Sequence, residues 1–484
     1  MTGNRLQFVL YVNGICLFAL AGVMLAPAVI DFGYGNRDWA AFLTASAFTG
    51  VVAAFLFITF RRPGEGVLDR RTGYLITTSS WISASFFGAI PFIFSSRHVG
   101  FTDAIFETVS GLTTTGATVL HGLDNFPPGL LLWRSLLHWI GGIGIIVMAL
   151  SMLPALGVGG MQLFQSESSD VSGKAFPKVK QFAQAIGIVY VSLTAANTAL
   201  LVLAGMPLFD AVNTAMATIA TGGFSTKDAS IGFYNSVPIE LVTIVFMIAG
   251  ALPLAFYAKF IVQRGRSGLI DEQIAPFLKI WALMVALTTA WNIAHGMVPA
   301  HALRVSAFNV TSIITDTGFA TDDFSRWGSF AVGIFFVLYF IGGCAGSTAG
   351  SIKIFRWQLL LSGSLRHLRL LLSPNRVIAL TYQGKPVGEG TLGAVRNFFF
   401  MYLMTFAILS LAVMATGLDF ISSTSGVAEA MANAGLGLGP VGNPATNFEN
   451  MAPLAKWIIM LAMILGRLEL ATVYAVFLPE FWRR

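Results

Sequence analysis

Charge is what this sequence has least of. Across 484 residues only 11% are Asp, Glu, Lys or Arg, against 55% hydrophobic, and the mean hydropathy is +0.74. That balance leaves no large soluble domain and belongs to an all-α polytopic membrane protein. Cysteine is nearly absent too: Cys16 and Cys344 sit in apolar or glycine-rich surroundings, and no disulfide framework or metal site follows from them. The six histidines are scattered without metal-ligand spacing, and His295 and His301 read as boundary residues. There is no Ser/His/Asp arrangement and no carboxylate dyad, and Ser172–Gly173–Lys174 lacks the upstream glycine of a phosphate-binding loop. An enzyme is therefore not expected, and neither is a bound cofactor or a nucleic-acid partner.

What is present is apolar sequence in bilayer-length runs. Spanning helices are expected at about 8–30, 39–60, 73–95, 131–156, 182–206, 236–262, 275–297, 328–361, 394–417 and 453–478. The first ends in Ala26–Pro27–Ala28, which resembles a signal-peptidase site, but the run exceeds a signal-peptide core and reads as a retained membrane helix. With the N-terminus in the cytoplasm, about 21 of the 29 Lys and Arg fall inside, about 7 outside, and Arg467 lies within a span. This positive-inside bias places both termini in the cytoplasm. About 14 of the 23 acids fall outside, so the outer face is net negative, a distribution that would concentrate cations.

The chain also repeats itself. After two spans it reads as four units, each a spanning helix, a short helix-length segment, a glycine-centred run and another span. The organisation is 1–72 (two helices), 73–160, 161–272, 273–375 and 376–484 (repeats one to four). The short segments, about 102–113, 209–220, 305–315 and 423–433, cannot cross a bilayer and read as re-entrant or interfacial. Asp103, Asp210 and Asp419 suit the starts of three of them. The runs that follow contain Thr114, Thr115 and Gly116; Ala220, Thr221 and Gly222; Asp316, Thr317 and Gly318; and Asn433, Ala434 and Gly435. Non-helical backbone at membrane depth is tolerated only where protein or a water-filled path covers it. Carbonyls there can replace a cation's hydration shell, and the C-terminal dipole of a re-entrant helix favours a cation at the same point. Four such runs would make one pore from one chain.

Two further features stand out. Gly342–Gly343–Cys344–Ala345–Gly346–Ser347–Thr348–Ala349–Gly350–Ser351–Ile352–Lys353 puts four glycines within nine residues of an expected span. Each costs about 0.8–1 kcal/mol in a helix, so the span should break into a loop. Gly342, Gly343, Gly346, Ser347, Thr348, Ala349, Gly350 and Lys353 then form either a movable gate or a small-residue packing seam. Arg467, with Glu469 two residues on, is the one charge deep in a span. It is either a positive barrier facing a cavity or a structural clamp. Trp133–Arg134 and His138–Trp139 read as interfacial anchoring and packing.

These residues resemble the TrkH family, the membrane subunits of bacterial Trk-type potassium uptake systems, within the superfamily that includes KtrB and plant HKT proteins. The resemblance covers nearly the whole chain. It is most specific at Leu132–Gly144, Gly157–Phe164, Gly342–Lys353 and Leu465–Glu469. It implies an inner-membrane homodimer, a pore in each protomer, potassium held by backbone around Gly116, Gly222, Gly318 and Gly435, and a gate at Gly342–Lys353. It also implies a cytosolic TrkA-type nucleotide-binding ring on the basic inner face; that ring, not this chain, would bind NAD or ATP. Ala349 and Ser351 depart from glycines expected in many relatives, and Asp316 stands where a small neutral residue is more usual. A secondary symporter coupled to sodium or protons is the competing reading, but it predicts two inverted halves rather than four similar units.

Overall fold

The computed structural model describes residues 2–61, 69–156, 175–262 and 271–483. The Gly157–Phe164 stretch, Ser172–Gly173–Lys174 and the basic residues Arg62, Arg264, Arg266 and Arg484 lie outside them. Among the described residues the chain is helical apart from loops and one small antiparallel pair, Thr381–Tyr382 with Lys385–Pro386.

The molecule is apolar on the outside and buries a set of polar residues within an apolar core. On the helix Trp39–Thr59, Phe48, Val51, Phe55 and Ile58 are exposed while Phe42, Ala45, Thr49 and Ala53 are buried. The helix Glu389–Met414 likewise exposes Phe400, Leu403, Met404, Ile408 and Leu411. Conversely Ser110, Thr113, Thr114 and Thr115, and Thr315, Asp316 and Thr317, are buried. Exposed apolar belts of this extent require a bilayer, so the chain is a multi-pass membrane protein.

Six helices are each long and apolar enough to cross a membrane, among the described residues. Three of the ten expected spans are interrupted. The stretch 236–262 breaks at Leu252–Pro253 into Val237–Ala251 and Leu254–Val262, because Pro253 supplies no backbone donor. The stretch 328–361 is helical over Ser329–Leu338 and again only from Ile354, as its glycines foretold. The last span, expected to be continuous, bends by 111° between Pro453–Arg467 and Leu470–Phe477, where Glu469 has φ +57°. The first segment, Thr2–Val23 with Leu25–Gly33, is part of the bundle: Asn13 donates to Ser79 (2.8 Å) and accepts from Ser83 (2.8 Å).

The four short helices are Phe101–Leu112, Leu208–Ile219, Pro299–Ile314 and Phe420–Ala432. All but their first turns are almost wholly buried, which is affordable because every backbone group inside them is paired. The acids expected to start them act differently. Only Asp419 is an N-cap, accepting from the Ser422 amide (3.0 Å). Asp103 instead accepts from Lys456 (2.6 Å) and Asp210 from the Thr226 hydroxyl (2.7 Å), because each lies inside the first turn.

Glycine decides how closely the long helices approach these short ones. Gly141 and Gly142 of helix Pro128–Leu156 lie between Leu112 and Ala220; a Cβ on Gly141 would come within 2.8 Å of the Leu112 carbonyl carbon. Gly22 faces open space. Gly141→Ala should therefore cost about 1–3 kcal/mol through overpacking, lowering the thermal unfolding midpoint in detergent, while Gly22→Ala should not lower it. Equal midpoints for the two variants would contradict this packing.

Candidate functional site

Each short helix ends in the same way. The residue after its last turn is left-handed: Thr114 (φ +52°), Thr221 (+51°), Asp316 (+56°) and Asn433 (+60°). The next amide bonds back five residues, Thr115 to Ser110 O (2.9 Å), Gly222 to Ala217 O (2.8 Å), Thr317 to Ser312 O (2.8 Å) and Ala434 to Glu429 O (2.9 Å). These are Schellman caps, which use carbonyls the helix cannot pair itself. A second positive φ follows two residues after the first, always at glycine: Gly116 (+89°), Gly223 (+81°), Gly318 (+87°) and Gly435 (+76°).

The four runs close into a ring. A Cβ on Gly116 would strike the carbonyl of Gly222, and one on Gly223 that of Thr317. One on Gly318 would strike the carbonyl of Ala434, and one on Gly435 that of Thr115. Each glycine thus abuts the middle carbonyl of the next run, and the fourth returns to the first. This corrects the register read from the sequence in repeat two. The equivalent triplet is Thr221–Gly222–Gly223, not Ala220–Thr221–Gly222, because Ala220 is still helical (φ −74°, ψ −9°). With two adjacent glycines in that run, sequence could not decide which one turns. In the other three repeats the named triplets occupy the ring positions.

The outer end of each run is tied to its own short helix, by a different side chain each time. Glu107 accepts from the Val119 amide (3.2 Å) and Thr118 (3.0 Å), Asp210 from Thr226 (2.7 Å), Asn309 from the Thr321 amide (3.3 Å), and Ser425 from the Leu438 amide (3.0 Å). Asn433 crosses between repeats to donate to Thr115 Oγ1 (2.9 Å).

Arg134 and His138 are buried braces, not interfacial anchors. Arg134 Nε pairs with Glu107 (2.7 Å), its Nη1 donates to Ser225 O (2.7 Å), and its guanidinium lies 4.0 Å over the Phe224 ring. His138 bonds Gly111 O through Nδ1 (2.8 Å) and accepts the Phe224 amide at Nε2 (3.1 Å), so the neutral Nδ1–H tautomer satisfies both. Together they fasten the first short helix to the second run. Their four-residue spacing on one helix is the signal that sequence offered. Nor is Arg467 the one deep charge: Glu107, Arg134, Asp316 and Glu429 are all buried.

Beneath the ring lies the Gly342–Lys353 loop. Cys344 N donates to Ala251 O (2.9 Å), and Leu254 N, freed at the Pro253 break, donates to Gly346 O (3.0 Å). Thr348 Oγ1 lies within bonding distance of Ile219 O (2.9 Å) and Gly250 O (3.1 Å), and Ser351 N donates to Ala432 O (3.0 Å). The loop therefore covers the carbonyl ends of the second and fourth short helices. Arg467 Nη1 donates to Thr348 O (2.7 Å), and Lys353 donates to Ala349 O. Glu469 is paired separately with Arg356 (2.9 Å). Ser351 accepts a glycine-like φ of +52° while its hydroxyl bonds Tyr339 O (2.6 Å). Gly342, Gly343 and Gly350 all abut backbone, Gly343 and Gly350 against Ala251 O and Ala432 O; Ser347 caps Cys344 O (2.7 Å), and Ala349 is buried.

A family model described as cation transport protein, TrkH, matches residues 39–483. The chain belongs to the TrkH family. It is 38% identical to the Trk system potassium uptake protein TrkI of Halomonas elongata, covering 100% of this chain and 98% of that protein. It is also 38% identical to the Trk system potassium uptake protein TrkH of Escherichia coli K12, over 97% and 98%. The crystal structure of the potassium transporter TrkH from Vibrio parahaemolyticus superposes with a TM-score of 0.91 at 34% identity, over 100% of both chains. TrkH-family chains are transporters rather than enzymes, and the observed helical architecture agrees with that crystal structure throughout.

The Glu107–Arg134 pair gives a direct test of the brace. Removing one member of a buried pair costs about 3–5 kcal/mol, because the other charge is left uncompensated. Glu107→Gln should thus lower the unfolding midpoint sharply, and adding Arg134→Met should recover part of the loss. Additive losses would show that the pair is not coupled.

Proposed function

We propose that this chain takes up potassium across the bacterial inner membrane through a gated filter of backbone carbonyls. The observation that carries the reading is the closed ring of four runs, each at the C-terminal end of a short buried helix. Carbonyls on such a ring would replace the hydration shell of a bare cation, and four converging helix ends would favour its charge. The filter residues are Thr114–Gly116, Thr221–Gly223, Asp316–Gly318 and Asn433–Gly435. The names of the curated relatives, potassium uptake proteins, supply the ion.

In this reading the Gly342–Lys353 loop is the gate. Its donors hold the same helix-end carbonyls that would otherwise face a cation, so the loop and the ion compete for them. Arg467 then clamps the closed loop through Thr348 and adds a positive barrier, reconciling its two alternative roles. The repeats divide at 73–160, 161–272, 273–375 and 376–484, and both termini are cytoplasmic. The chain works as a homodimer, with a TrkA-type cytosolic nucleotide-binding ring on the basic inner segment that carries the exposed Arg369 and Arg376.

Rubidium flux into liposomes holding the pure protein should be blocked by potassium and little affected by excess sodium. Sodium that competes as well as potassium would overturn the ion assignment, and uptake that requires a sodium or proton gradient would favour a symporter. Gly435→Val and Gly223→Ala should each abolish flux or selectivity in protein that still inserts, since each side chain meets backbone of the neighbouring run. Unchanged selectivity in either variant would remove that run from the filter.

A further inference from the structure

Asp316 holds the left-handed cap position of the third run, where the other repeats have Thr114, Thr221 and Asn433. It is fully buried; neither carboxylate oxygen has a partner at full hydrogen-bond geometry, and the backbone of Gly343 and Gly350 lies close enough to act on it. It abuts the loop: a Cβ on Gly342 would lie 3.1 Å from its Oδ2. Lys353 and Arg467 are the nearby cations, and neither is in ion-pair contact with it. Both are anchored elsewhere, at the carbonyls of Ala349 and Thr348. The acid nearest Arg467 in sequence, Glu469, is already paired with Arg356.

The two cations differ in how they are mounted. Arg467 closes a helix, Pro453–Arg467, whereas Lys353 ends the loop itself. With the loop seated, two cations held on the adjoining loop carbonyls accompany one carboxylate, a net charge of one positive unit. If the loop withdraws and takes Lys353 with it, the site loses one positive charge, which a small cation can replace. A desolvated carboxylate with only weak backbone contacts is costly unless a cation accompanies it.

We propose that the Asp316 carboxylate is an inner cation-binding position at the foot of the ring, compensated by the tethered Lys353 ammonium when the loop is seated and by a transported alkali cation when it withdraws. The proposal rests on the reading of the ring as a conducting filter. Lys353 and the ion exclude each other electrostatically, so the ion stabilises the withdrawn loop to the extent that it binds that state better. By linkage, whatever withdraws the loop raises affinity for the ion by the same factor.

The test uses the full chain in detergent, with the thermal unfolding midpoint followed as potassium chloride is titrated at constant ionic strength. Lys353→Gln removes the competing ammonium, so the potassium concentration giving half the midpoint rise should fall about tenfold. Adding Asp316→Asn should erase that gain. An unchanged half-point in Lys353→Gln overturns the proposal, as does a gain that survives Asp316→Asn. Should the single Asp316→Asn variant fail to fold, the double variant with Lys353→Gln still reads the exchange, because it removes both partners. Liposome flux of the unsubstituted chain is scored separately. Sodium competing there as well as potassium overturns only the potassium reading, since the exchange at Asp316 can be titrated with either ion.

Discussion

The structure depends on one steric constraint: at four points the backbone of one run touches the carbonyl of the next with no room for a Cβ. Gly116, Gly223, Gly318 and Gly435 meet it by being glycine and by adopting positive φ, which residues with a Cβ resist. Each contact sets the spacing of two neighbouring carbonyls. Because the contacts form a closed cycle, no run can shift without moving the others.

Around that ring the side chains are not symmetric. The same job of fixing the outer end of a run falls to a carboxylate in repeats one and two, an amide in repeat three and a hydroxyl in repeat four. Repeat one adds the Arg134 and His138 braces that reach into repeat two. Backbone geometry is shared by the four repeats while the side chains that hold it differ. Carboxylate, amide and hydroxyl ties differ in strength, so the four runs need not be equally stiff.

The loop beneath the ring obeys a second constraint, the need to satisfy backbone groups at membrane depth. Three interruptions, at Leu252–Pro253, at 339–353 and at Leu468–Glu469, meet there and supply one another's donors and acceptors. The loop is held by hydrogen bonds to helix-end carbonyls and by two tethered cations, while its Cys344, Ala349 and Ile352 pack into the apolar core.

Much of this was legible in the sequence for a physical reason. Bilayer-length apolar runs, four small-residue runs at similar spacing and a glycine cluster inside a span are local signals of composition, and they located the short helices to within a few residues in three repeats. The sequence by itself also fixed the membrane class and marked Gly342–Lys353 as a break. Tertiary structure decided what locality cannot: that Gly223 rather than Gly222 turns, that Asp103 and Asp210 form contacts instead of capping, and that Arg134 and His138 are internal braces. It also decided that Asp316, a filter carbonyl by sequence, places an unpartnered carboxylate against the loop. Each of these depends on which distant backbone or charge comes within a few ångströms, and only the closed ring determines that.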